Sequence, residues 1–443
     1  MAFAKRKWLW ALLAFIGLLV AALAVPFLVP LSAYIPQLTR RVSDRIGQPV
    51  SIRNLRLELL PTPRLAIIGL KLGRNDEVSI ERASIVPDLL LLPSGEVVLR
   101  EIRADGVRIK RSALDLLDKL PKGGGGSGIL VRRIVLRHVT YEQRALRLPV
   151  FNVVVDLSVV PSATVVRVST DDGSFKATLD PDHAGRTRLS LSARNWRLPI
   201  TIAPLAFDEL EASGTLHDSR LALPEIHGKL YGGTLAGSLD LRWGRQWHLD
   251  GKAELAGVEL VPLQSALGKP ARLSGQLSGK VSYSAQARTA VQLGNALVLD
   301  APFEVTGGEW HGVDLSRVAE LPLGKLSSGG TTEFEQMKGD LALRGKHVQV
   351  NKICVRSPAL MAAGNVSIAP DQTLSGKLDV SVAKTKGFVG VPVAVSGTAA
   401  DPSLSLTKAG VIGAMIGTML LPGIGTSLGL SAGSRLEGRS ECQ

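Results

Sequence analysis

Downstream of residue 40 the chain alternates between apolar and polar positions in short runs. Leu55-Arg56-Leu57-Glu58-Leu59, Val78-Ser79-Ile80-Glu81 and Val107-Arg108-Ile109-Lys110 alternate strictly. A period of two sends successive side chains to opposite faces, so each run predicts a strand with one apolar and one wet face. Strand-like runs continue at 147–160, 164–170 and 187–193, and apolar positions recur at short intervals from 210 to 260. Turn residues punctuate them at Leu60-Pro61-Thr62-Pro63, Leu72 to Asp76, Pro93-Ser94-Gly95 and Ala104-Asp105-Gly106. Gly-bearing phrases such as Ser213-Gly214-Thr215 and Leu235-Ala236-Gly237 read as further turns. Helical signals are few: 112–120, with Ser112 as N-cap, then 261–267 and 313–321. The pattern predicts a mainly β chain: a long curled antiparallel sheet with few short helices. About 400 residues at roughly 10–15 per strand and turn give on the order of 25–35 strands.

The N-terminus departs from this pattern. Lys5, Arg6 and Lys7 precede a run without charge from Trp8 to Thr39, and its apolar part, Trp8 to Val29, is 22 residues long. As a helix that part spans roughly 33 Å, one bilayer core. The basic residues hold that end in the cytoplasm and place the rest of the chain beyond the membrane. Trp8 and Trp10 suit the inner interface, with Leu12, Phe15 and Leu19 in the apolar span. Ala22-Leu23-Ala24 also spells a signal-peptidase site. The length of the uncharged run favours an uncleaved single-pass anchor. The far end is unusual too: 409–430 lacks charge and carries Gly413/Gly417 and Gly425/Gly429 at G-x-x-x-G spacing. It reads equally as an interfacial hairpin broken at Pro422 or as a segment capping the sheet.

Composition narrows the chemistry. Aromatic residues are only 4% against 45% hydrophobic, so the buried surface is aliphatic. The net charge of +13 reads chiefly as solvated strand faces, then as attraction to anionic headgroups, and not as nucleic-acid binding. Two cysteines, Cys354 and Cys442, exclude a disulfide scaffold and a Cys-rich zinc site. Cys442 lies on a polar tail, where fraying argues against a bridge between them. The seven histidines form neither H-x-H nor H-E-x-x-H, so no metal site is expected. Gly123 to Gly128 spells G-x-G-x-x-G, but a strand-like run follows it where a nucleotide loop needs a helix; it reads as a flexible linker. G-x-S-x-G occurs at Gly425 to Gly429, downstream of the last histidine, His347, which excludes the hydrolase order of triad residues. The acidic pairs Asp171-Asp172 and Asp208-Glu209 read as solvated turns. No enzyme activity and no cofactor are expected.

A sheet with one apolar face must cover it, and helices here are too few to do so. Curled on itself, such a sheet forms an open aliphatic trough suited to acyl chains, each shielded methylene contributing about 0.8 kcal/mol. Leu55, Leu57, Leu59, Val78, Ile80, Val107 and Ile109 are the candidate lipid-facing residues.

Several phrases resemble the AsmA family of Gram-negative envelope proteins. They are Arg45 to Ile52 with Leu59-Leu60-Pro61-Thr62-Pro63, Leu230 to Leu241 (LYGGTLAGSLDL), Leu273 to Gly279, Gly307 to Leu315, and Val391 to Leu404. The resemblance implies an inner-membrane anchor and a periplasmic β-rich body related to bridge-like lipid transfer proteins, with members linked to phospholipid transport to the outer membrane and to envelope assembly. The expected organisation is a basic tip and anchor (1–39), a β-rich N-terminal domain (40–122), a linker (123–128), a periplasmic β-trough (129–408) and an apolar C-terminal segment with a polar tail (409–443). The expected partners are phospholipid acyl chains, the inner membrane and an outer-membrane or periplasmic protein. The alternative is a scaffold for outer-membrane protein assembly, with the trough buried against its partner.

Overall fold

The computed structural model describes residues 34–88, 97–113, 129–142, 148–157, 164–182, 186–199, 204–315, 329–358, 360–384, 387–420 and Cys442. The expected anchor, with Trp8, Trp10, Leu12, Phe15 and Leu19, lies outside these, as do the Gly123 to Gly128 run and Gly425 and Gly429. Among the described residues no helix is long and apolar enough to cross a membrane. The chain divides into two compact units, 1–188 and 189–443.

The first unit opens with helix α1 (Ile35–Ile46), where the sequence pattern predicts strands from residue 40. Ile35, Leu38 and Val42 share its half-buried stripe while Arg40, Arg41 and Asp44 face water. Gly47, at φ 70°, ends it by donating its N–H to the Ser43 carbonyl. Strands β1 (Val50–Glu58), β2 (Arg64–Leu72), β3 (Val78–Pro87) and β4 (Val97–Lys110) follow as an antiparallel meander. Then the direction breaks. β5 (Ile129–Val131) and β6 (Arg133–Glu142) both run parallel to β4. An antiparallel sheet was the expectation; the 18 residues from 111 to 128 provide the length that a parallel crossover requires. β7 (Phe151–Asp156), β8 (Val165–Thr170) and β9 (Phe175–Pro181) resume the antiparallel order.

The second unit is an antiparallel meander of β10 (Thr187–Arg197), β11 (Ala206–His217), β12 (Arg220–Leu230), β13 (Gly233–Arg242), β14 (Trp247–Glu259), β15 (Gln276–Ala287), β16 (Val298–His311), β17 (Thr331–Arg344), β18 (His347–Arg356), β19 (Leu360–Ile368), β20 (Leu374–Lys384), β21 (Gly387–Gly397) and β22 (Pro402–Leu406). Helix α2 (Leu260–Ala266) sits at the predicted 261–267, and a 3-10 turn (Ala290–Ala296) links β15 to β16. Helix α3 (Lys408–Leu420) packs beside β21, where β22 stops pairing, and the Thr407 N–H bonds the Pro392 carbonyl. It covers an otherwise open strand edge. Ala414 is fully buried there, which fits the capping reading; Gly413 and Gly417 are four apart on this helix.

Four expected turns are corrected. Ala104-Asp105-Gly106 lies inside β4, where Gly106 takes a left-handed φ of 65° without shifting the register to β3 or β6. Gly214 and Gly237 lie inside β11 and β13. Asp208-Glu209 also lies in β11, with Glu209 2.8 Å from Lys229 across the strand pair, whereas Asp171-Asp172 does form the β8–β9 turn. The spelling misleads because a left-handed residue can bend a strand without ending it; the apolar positions then step by three, as from Ala104 to Val107 and from Leu136 to Val139. Such residues recur at Gly69, Gly106 and His138 in alternate strands of the first unit, and at Asn195, Gly257, Gly307 and Lys352 in the second.

Cys354 and Cys442 form a disulfide, contrary to the fraying argument; their Cα atoms are 5.3 Å apart. The tail end is seated on β19: the Cys442 sulfur lies 3.8 Å from the Ala362 carbonyl.

Candidate functional site

In the first unit the apolar faces of β1 to β4, β6 and β7 meet in one cluster built on Leu55, Ile67, Ala83, Ala104, Val107 and Val139. Ile80 and Ile109 pack against it. Leu57 lies two positions along on the same strand face, opposite Leu65, and Val78 opposite Ile109. Leu59 falls just past the end of β1. The strand registers therefore bring most of the seven sequence candidates to one face.

The larger apolar face belongs to the second unit, and its residues were not named from sequence. Registers align two rows across it. One row runs Leu277–Val305–Met337–Val355–Ala362–Val380–Val391 from β15 to β21. From Val305 onward it is buried, in one cluster with Leu260 of α2 and with Val313 and Leu315 beyond β16. The chain's own residues thus close this part of the face, which a fully open trough would leave bare. A second row, Ala301–Leu341–Val350–Val366, is only half buried. With Phe303, Ile368 and Leu374 it lines a groove of about 420 Å³, the size range of small-ligand sites.

Glycine shapes the walls. Phe303 lies across Gly339 of the neighbouring strand, where a Cβ would meet its ring at 3.0 Å. Tyr283 lies over Gly251 in the same way, its hydroxyl donating to the Ser238 carbonyl at 3.0 Å. Burial raises the Tyr283 pKa. Rings laid flat over glycine fill the face without projecting from it.

At one rim the curl brings distant strands together. Arg272, between α2 and β15, donates a guanidinium hydrogen bond to the Ala400 carbonyl in the β21–β22 turn. Trp310 pairs with Leu273 beside it. Gly312, at φ 87°, has no side chain where Arg272 Nη1 lies; a Cβ there would be 2.4 Å away. The groove lining is otherwise aliphatic and aromatic apart from Arg272 and His311, and His311 faces Glu309 (3.6 Å) and Thr331.

The opposite face carries ion pairs between adjacent strands, among them Arg220–Asp240, Arg344–Asp300 and Lys352–Asp340. These charges are solvated strand faces. The groove was legible as alternation in β16 to β19, where Leu299-Asp300-Ala301-Pro302-Phe303 and Val348-Gln349-Val350 carry the signal. Which row stays open was not, because Leu260, Val313 and Leu315 close the other one from outside the strands.

Compared with known protein families, residues 169–352 match the AsmA family. This region is similar to AsmA-family sequence. It runs from the end of β8 into β18 and supplies the groove wall from β14 to β18. The AsmA-like phrases at 45–63 and 391–404 lie outside the matched residues. No curated protein and no solved structure matches the chain.

Proposed function

We propose that this chain is a non-catalytic, inner-membrane-anchored periplasmic protein that binds phospholipid acyl chains in its β-trough and conducts them toward the outer membrane. The aliphatic groove in the second unit carries the reading: a half-buried row of Ala301, Leu341, Val350 and Val366 is left uncovered beside a packed one. Shielding even a few methylenes there contributes several kcal/mol at about 0.8 kcal/mol each. The AsmA region supports an envelope role. The Cys354–Cys442 bridge suits an oxidising compartment, as does export behind the leading apolar run. The half-buried Ile80 and Ile109 of the first unit would offer a second, separate apolar contact for lipid, and a receiving protein in the periplasm or outer membrane would take the lipid onward.

The test is lipid retention. Full-length protein extracted from vesicles of phosphatidylglycerol and phosphatidylcholine should carry lipid in native mass spectrometry. Val350→Asp, placed in the half-buried row, should lose most of it while the circular-dichroism melt stays within a few degrees. Wild-type protein that emerges lipid-free, with the groove protected from solvent labelling by a bound protein, would instead favour the scaffold role.

A further inference from the structure

The groove has a polar end as well as an apolar lining: Arg272 and His311 stand together there, with Glu309 3.6 Å from the His311 ring. Arg272 lies on the rim next to Trp310, between the α2–β15 connection and the β21–β22 turn. Its backbone is fixed on both sides: the N–H donates to Gln264 Oε1 at 3.0 Å, and the carbonyl accepts from the His311 N–H at 2.8 Å. Gly312 leaves the space that its guanidinium occupies. A guanidinium has five N–H donors, and the Ala400 carbonyl takes only one of the two Nη2 hydrogens. Among the described residues no carboxylate forms an ion pair with Arg272, although the exposed faces of these strands pair arginine with aspartate repeatedly.

An unpaired, half-buried arginine at the mouth of an aliphatic cavity fits a ligand with a long apolar part and an anionic oxygen group at one end. Resting on the acyl-chain reading above, we propose that Arg272 is the headgroup site of the groove. It binds the phosphodiester of a membrane lipid through its free N–H donors, while the acyl chain lies along Phe303, Leu341 and Val350. Arginine suits this task because its planar fork matches two phosphate oxygens at once. Trp310 sits at the boundary between the two parts of the ligand, a position that favours an amphipathic ring. The contact to Ala400 fixes the guanidinium in place before the lipid arrives, so little side-chain entropy is lost on binding.

The experiment compares two lipids with the same acyl chains. Full-length protein is equilibrated with phosphatidylcholine vesicles doped with either phosphatidylglycerol or diacylglycerol, and the retained dopant is counted by native mass spectrometry. The wild type should retain phosphatidylglycerol about tenfold better, the size of one charge-assisted hydrogen-bond set. Arg272→Gln should bring that ratio close to one and leave diacylglycerol retention unchanged. Arg272→Lys, which keeps the charge but loses the fork, should fall between them. An unchanged preference in folded Arg272→Gln protein overturns the headgroup site and leaves acyl binding standing. Should Arg272→Gln unfold, the Arg272→Lys ratio decides: a value equal to wild type overturns the fork-binding proposal. Wild-type protein that retains neither dopant overturns the acyl-chain reading itself.

Discussion

At the residue scale, the sheet is shaped by positions where a side chain is missing. Gly251 is the clearest. A Cβ there would lie 2.3 Å from Tyr283 ring atoms and 2.5 Å from the Ser238 carbonyl oxygen. Gly251→Val should therefore destabilise the second unit by about 1–3 kcal/mol, as overpacked sites do, read as a lower urea midpoint. Gly244, with nothing within 4 Å of its Cβ position, is the matched control and should tolerate alanine. Other strand glycines were visible in the sequence but misread: Gly214 and Gly237 read as turns and lie within strands. A glycine under a ring and a glycine in a hairpin are spelled alike, and only the strand register reveals that Tyr283 faces Gly251. Asp105-Gly106 misled in the same way: a left-handed residue bends a strand as readily as it ends one.

Among the elements, the parallel β4–β6 seam stands apart. His138 sits in β6 at φ 49°, and its Nδ1 lies 2.7 Å from Asp105 of β4. Its other ring nitrogen faces Asp171 of the β8–β9 turn at 3.7 Å, and Asn152 of β7 links the two by accepting the His138 N–H and donating to Asp171. The hydrogen bond to Asp105 raises the His138 pKa, opposed first by desolvation and then by Arg137, and the same bond lowers that of Asp105. When protonated, the imidazole bridges strands that no hairpin joins. The sign follows from the two directions. His138 contributes fully below its unfolded pKa of about 6.5, and this is lost as pH rises through the raised folded value. Asp105 contributes above about pH 3.9, and this is lost as pH falls through its lowered value. Unfolding midpoints of the wild type should fall between pH 6 and 8, whereas His138→Asn, which tolerates the left-handed backbone, should flatten that slope. Equal slopes in both proteins would show that the bridge carries no linkage. The sequence revealed β4 and β5 as strands but not their relative direction, since alternation is identical in parallel and antiparallel neighbours. The residues between 111 and 128 mattered most for their number.

For the whole molecule, alternation identified a mainly β chain, and the α2 position was legible to within one residue. Long-range closure was not. Leu260, Val313 and Leu315 close one row of the second unit's face, Arg272 reaches Ala400 across 128 positions, and Cys442 reaches Cys354 across 88. No local periodicity encodes such contacts, and a polar tail with a single cysteine resembles a frayed end. The bridge has a measurable weight. For a separation of 88 residues, chain-entropy arguments give about 4–5 kcal/mol of stabilisation. Thermal melts with and without reductant should differ by on the order of 10 °C in the transition of the second unit. Identical melts, with the bridge verified by peptide mapping, would show that the tail constrains little.

The same bridge alters how damage to this part of the chain would be noticed. β19 to β22 and α3 lie inside a closed covalent loop. A protease that cuts any turn within it opens the loop without releasing a piece. Both fragments stay joined through sulfur, and the strands on either side of the cut keep their neighbours. Only when thiols are reduced would the nicked molecule come apart, so in an oxidising compartment a broken backbone here leaves the groove wall standing.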